Sequence, residues 1–189
     1  MKQLLTSLTL LCALGTYAQT VLPLSKLNAS ASFVHSVYNN TPYNNYKNSS
    51  GLNFQVGANI LNGEVFIAGT TFKNTHPTFT NYQTGLFTFG YAYNLPIIKN
   101  IWLKPHAGFG VNYMMFEQSS NTNSSNLRES ELMYELGIAI QAKIYKKLQV
   151  KLGTTYNITQ TYYKQQQVFL QAGLIYYFDS PKWIKSFIN

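Results

Sequence analysis

Apolar and polar residues alternate along most of this chain with a period of two. In Leu52 to Ile60, Leu52, Phe54, Val56, Ala58 and Ile60 share one parity, and Asn53, Gln55, Gly57 and Asn59 the other. From Ile101 to Met115 the odd positions read Ile, Leu, Pro, Ala, Phe, Val, Tyr, Met, while the even ones include Trp102, Lys104, His106, Gly108, Gly110 and Asn112. From Glu131 to Ile144 the apolar set is Leu132, Tyr134, Leu136, Ile138, Ile140, Ala142 and Ile144. Opposite it stand Glu131, Met133, Glu135, Gly137, Ala139, Gln141 and Lys143. Successive side chains of a strand point to opposite faces, so each run predicts a strand with one apolar and one polar face. Two of these runs are well beyond the common strand length.

Eight segments read this way: 27–38, 51–61, 64–73, 81–93, 101–116, 130–144, 148–160 and 167–178. Their connections alternate in length. Those at 39–50, 74–80, 117–129 and 161–166 are long and polar, whereas those at 62–63, 94–100 and 145–147 are shorter. Asn62-Gly63 is a two-residue hairpin signal. Long connections at one end and short ones at the other, with an even strand count, predict an all-β fold. The expected form is an eight-stranded antiparallel up-and-down transmembrane β-barrel with both termini at the short-turn end.

The N-terminus predicts export. Lys2 precedes an apolar stretch from Leu4 to Leu14, and Thr16-Tyr17-Ala18 offers small residues at the −3 and −1 positions of a cleavage site. The expected divisions are therefore a signal peptide over 1–18, a barrel over 19–178 and a periplasmic tail over 179–189. The apolar run is too short to span a bilayer. Cys12 is the single cysteine, and Leu11 before it does not suit a lipoprotein signal. A chain matured at Gln19 has neither a disulfide nor a thiolate site.

Alternation alone leaves the facing open, because a soluble periplasmic ligand-binding barrel would turn the same apolar parity inward. Composition decides it. Only 11% of residues are charged and 15% are aromatic, and the polar parity carries Gly, Asn, Gln, Ser and Thr, which suits a packed narrow lumen. Aromatics also gather at strand ends, as rings at the two membrane interfaces do. Tyr38, Phe72, Phe79, Tyr82, Phe116 and Tyr162 fall at the long-loop edge. Tyr91, Tyr93, Trp102, Tyr145, Tyr176 and Phe178 fall at the other. The apolar parity is expected to face lipid in a bacterial outer membrane. Export leaves a net charge of +7 once Lys2 is removed from the +8 total. Such a chain meets no nucleic acid, so phospholipid headgroups, or solvent, are the surroundings expected for turn lysines such as Lys99, Lys146, Lys147, Lys182 and Lys185.

The last segment, Val168, Leu170, Ala172, Leu174, Tyr176, Phe178, resembles the C-terminal strand of small barrels of the OmpA/OmpX-like superfamily, of the kind found in Bacteroidetes-type bacteria. The resemblance implies an eight-stranded outer-membrane barrel, lipid and lipopolysaccharide as surroundings, and recognition by the barrel-assembly machinery through the strand ending at Phe178. It implies no activity. Asp179 to Asn189 departs from the pattern by continuing past the aromatic. Pro181, Trp183, Ile184, Phe187 and Ile188 make this stretch either a small amphipathic turn or a disordered end.

No reaction is spelled out by the motifs. The histidines are His35, His76 and His106, two of them near opposite ends of such a barrel, which argues against a three-His metal centre. No metal or other cofactor is expected. On the lumen parity, Lys104, His106, Glu131, Glu135, Lys143 and Lys151 form a candidate polar cluster, read as buried charges paired against desolvation. His35 and Ser36 are the elements of a lipid acyl hydrolase or transferase, but adjacent strand residues point to opposite faces and cannot form one nucleophile–base pair. Tyr43, Tyr46 and Arg128 in or beside the long loops are candidate contacts for an extracellular protein or glycan. The expected function is therefore non-enzymatic, with surface-loop binding or a structural membrane role. Eight strands leave little room for a pore.

Overall fold

A computed structural model describes residues 24–40, 49–75, 81–116, 128–160 and 164–186. The expected signal peptide, Tyr43, Tyr46, His76, Phe79 and Tyr162 lie outside the described residues. Among the described residues nine strands run β1 Lys26–Asn40, β2 Ser50–Ile60, β3 Gly63–Asn74, β4 Tyr82–Tyr93, β5 Leu95–Ile98, β6 Ile101–Phe116, β7 Arg128–Tyr145, β8 Leu148–Thr159 and β9 Gln165–Asp179. A helical turn, α1 Lys182–Ser186, follows in the tail.

Every pairing is antiparallel, in the order β4-β3-β2-β1-β9-β8-β7-β6, and β4 pairs with β6 to close the ring. The first and last barrel strands meet from Lys26↔Asp179 to Asn40↔Gln166. Closure removes the open edges that would otherwise expose unpaired backbone groups to hydrocarbon.

The segment 94–100, expected as a plain connection, contains β5. This strand runs on from β4 after Asn94, and Leu95↔Leu103, Pro96↔Trp102 and Ile98↔Ile101 extend the ladder along β6. The ladder breaks at Asn94, and its register shifts again between Pro96, which has no N–H to donate, and Ile98. The barrel therefore has eight staves, one of them broken into β4 and β5.

The Asn62-Gly63 signal is displaced by one residue. Ile60 pairs with Gly63, so Leu61 and Asn62 form the turn, and Leu61 adopts a left-handed φ of 53°. Gly63 serves packing instead: a Cβ there would collide with the Ala92 carbonyl and the Tyr91 ring.

Burial is inverted relative to a water-soluble protein. Phe54, Phe87, Phe109, Leu136 and Leu170 are more than half exposed, while Asn28, Glu64, Asn112, Asn157 and Gln167 are almost wholly buried. Apolar side chains facing outward all round a closed barrel need hydrocarbon as their solvent. The aromatic rings follow this pattern only partly. Tyr38, Tyr145, Tyr176 and Phe178 face outward, but Phe72 and Tyr82 are buried at 4% exposure. Their even positions in β3 and β4 share the parity of Glu64 and Thr88, so both point into the lumen.

Facing makes a direct prediction. Leu136→Arg or Ile138→Arg places charge against lipid and should cost about 2–4 kcal/mol near the membrane midplane, falling toward either interface. Gln141→Arg, on the inward parity, should show no such depth dependence. Equilibrium unfolding from lipid vesicles reads both. An equal, depth-independent cost for the three substitutions would contradict the facing.

Candidate functional site: a filled lumen

The inward residues form layers along the barrel. Near the loop end, amides and hydroxyls interlock: Ser49 Oγ donates to Asn74 Oδ1 at 2.8 Å and Asn74 Nδ2 to Thr84 Oγ1 at 2.9 Å. Asn112 Nδ2 donates to Thr159 Oγ1 at 3.1 Å. Phe72, Leu86, Met133 and Phe169 then make a buried apolar cluster, with the Phe72 and Phe169 rings 5.2 Å apart.

Toward the turn end lies a charged layer centred on Glu64, one residue into β3 and 2% exposed. Lys104 Nζ sits 2.5 Å from Glu64 Oε2, and Asn28 Nδ2 donates to the same oxygen at 3.2 Å. Gln55 Nε2 donates to Glu64 Oε1 at 3.1 Å, and Lys151 Nζ donates to Gln55 Oε1 at 3.1 Å. Lys104 also donates to the Tyr177 hydroxyl, which donates to Gln141 Oε1. This connected network draws on β1, β2, β3, β6, β7, β8 and β9.

Glu135 anchors the remaining stave. Thr88 Oγ1 on β4 donates to Glu135 Oε2 at 3.2 Å, and His106 Nε2 lies 3.6 Å from Glu135 Oε1. The His106 ring meets Phe66 edge-on at 5.9 Å. Gly137, across from His106 on β7, is required here because a Cβ would overlap the imidazole. A cavity of about 30 Å3 among these side chains has room for one or two waters.

Four of the six cluster candidates thus meet in this layer: Lys104, His106, Glu135 and Lys151. Glu131 and Lys143 share their parity but stand elsewhere. Glu131 pairs with Asn112 in register near the loop end, and Lys143 is exposed at the turn-end mouth. Sequence reasoning missed Glu64, Tyr177, Gln55 and Asn28. The available signal was a lone acid on the parity of Phe66 and Ala68, in a chain with a basic surplus.

At the turn-end rim, Lys147 donates to Asp179 Oδ2 at 2.8 Å, and that hydrogen bond together with the carboxylate charge raises the Lys147 pKa. Among the described residues no three or more His, Cys, Asp or Glu side chains gather as a metal site. Ser36 is buried inward, whereas His35 faces outward and its Nδ1 lies 2.8 Å from Ser50 Oγ across the β1–β2 ladder.

The charged layer predicts an unequal response to substitution. Glu64→Gln leaves the Lys104 ammonium buried without a counter-charge and should cost about 3–5 kcal/mol. Glu64→Gln with Lys104→Met removes both charges and should recover much of that loss. Denaturant unfolding of the refolded barrel reads both variants; a double variant as unstable as the two single losses combined would contradict the pairing.

The same architecture recurs in solved outer-membrane barrels. Neisserial surface protein A has a TM-score of 0.65 at 12% identity, over 80% of this chain and 95% of that one. Ail, the attachment invasion locus protein of Yersinia pestis, in complex with the heparin analogue sucrose octasulfate, gives 0.58 at 13%, over 81% and 98%. OprG from Pseudomonas aeruginosa gives 0.59 at 11%, over 84% and 98%. These likenesses concern the fold. No curated protein matches the chain in sequence. The family model described as outer membrane protein beta-barrel domain matches residues 4–178. With a closed barrel whose apolar face is outermost, the chain belongs to that family and is an integral β-barrel of the bacterial outer membrane.

Proposed function

We propose that this barrel is non-enzymatic and works through its long connections, which project to the cell exterior and hold an extracellular protein or glycan. The observation that carries this reading is the packed lumen: side chains from all eight staves occupy the interior, so recognition falls to the connections outside it. Arg128, the first residue of β7, is exposed where the connection 117–127 ends. Tyr43 and Tyr46 belong to the connection 41–48, outside the described residues. Ail, a barrel of this fold, is described in complex with a sulfated sugar, which favours a polyanionic glycan as the partner class to try first. The strand ending at Phe178 is the segment we assign to recognition by the assembly machinery.

A second reading, lipid acyl hydrolysis or transfer, is favoured by the outward His35–Ser50 pair. Against it, no carboxylate hydrogen-bonds His35 among the described residues, so the base has no orienting partner of the kind a triad supplies.

Two measurements separate these readings. Cells displaying the full chain should bind surface protein or sulfated glycan at least about tenfold better than cells displaying a barrel with both 41–48 and 118–126 shortened, a loss of about 1.4 kcal/mol. Arg128→Ala should give part of that loss. Unchanged binding after both deletions would remove the recognition role and leave a structural barrel. The acyl-chain number of lipid A, read by mass spectrometry, should be the same with or without the protein; a Ser50-dependent change would establish the second reading.

A further inference from the structure

The turn end of the barrel concentrates positive charge. Lys26, Lys99, Lys143, Lys146, Lys147 and Lys182 are all exposed there. Among the described residues one exposed carboxylate, Asp179, stands with them, held by Lys147. Lys26, Lys143, Lys146 and Lys147 line a single recess of about 430 Å3 at the mouth of the lumen. Asn59, Asn94 and Gln149 also line it. Phe178, on the outward parity of β9, belongs to the same wall. The recess therefore reaches from the lumen mouth to the rim that meets lipid.

These features ask for a ligand of defined chemistry. The ammonium groups call for an anion. A phosphoethanolamine headgroup is a zwitterion without net charge, and its ammonium offsets the attraction of its phosphate to the lysines. A phosphoglycerol headgroup brings one negative phosphodiester and no cation, matching the lysines that line the recess.

We propose that this recess binds the phosphoglycerol headgroup of an anionic phospholipid from the leaflet at the turn end. The acyl chains then lie along the outward Tyr176 and Phe178, and the phosphate turns over the rim to Lys26, Lys143 and Lys146. The neighbouring connections have matching anchors: Ile97 and Ile98 beside Lys99, Tyr145 beside Lys146, and Trp183 beside Lys182 are all exposed. Apolar side chains at headgroup depth, with lysines reaching the phosphates, hold this end of the barrel at the interface.

The test uses the full chain refolded into bilayers of phosphatidylethanolamine and phosphatidylglycerol in equal amounts, extracted in mild detergent, with retained lipid read by mass spectrometry. Phosphatidylglycerol should be enriched at least about tenfold over phosphatidylethanolamine, which is below what two or three lysines at about 1 kcal/mol each would supply for one anionic headgroup. The variant Lys26→Gln/Lys143→Gln/Lys146→Gln should lose the enrichment, and Lys99→Gln/Lys182→Gln, outside the recess, should keep it. All five positions are exposed, and unchanged heat-dependent gel mobility verifies that each variant folds. No enrichment would overturn the proposal. Equal loss in both variants would also overturn it, by showing diffuse attraction in place of a site. Displacement of the retained lipid by soluble glycerol phosphate, with binding of that compound in phosphatidylethanolamine alone, would reassign the recess to a free phosphoester.

Discussion

A carboxylate at the inner wall of a narrow barrel, surrounded by a bilayer, is cut off from bulk water. Glu64 stands in that position, and much of the molecule is arranged around it. Its two oxygens take hydrogen bonds from Asn28 and Gln55 and the ammonium of Lys104. Through Tyr177, Gln141 and Lys151 the same charge is tied to three further strands. Desolvation makes each group expensive alone and acceptable only in company. The charged layer therefore favours one register of the staves: slipping a strand by one residue would turn its inward donor to lipid.

The outward face obeys the complementary rule. Hydrocarbon rewards no particular pairing between lipid-facing side chains, so Phe54, Phe87 and Leu136 need only be apolar. Specificity within the membrane resides in the lumen. The close approaches across the wall belong to the same economy of space, with Gly137 yielding volume to His106 and Gly63 to the Tyr91 ring. The side chains that hold the barrel together fill the lumen, which is why the connections carry the functional proposal.

The barrel was legible in the sequence because parity survives without knowledge of register. A strand such as Glu131–Ile144 declares its two faces wherever it pairs, and the strand bounds inferred from alternation differ from those observed by only one or two residues. Parity also placed Lys104, His106, Glu135 and Lys151 inward. It could not place them along the axis, so Glu131 and Lys143 were grouped with a layer that lies between them. Glu64 was missed because it opens its strand beside a turn, where a charge ordinarily reads as solvated. Tyr177 was missed because its partners on β6 and β7 are distant in sequence. The inward rings of Phe72 and Tyr82 show the same limit: an aromatic near a strand end belongs to an interfacial girdle only if its parity is outward.

The claim on which the rest depends is that the interior is closed by side chains. Single-channel recording of the refolded full-length barrel in planar bilayers tests it most directly. The account predicts no steady conductance across the range of applied voltage, with at most brief openings. A continuous, ohmic conductance would show a water-filled path through the layers of Phe72 and Glu64 and would contradict it.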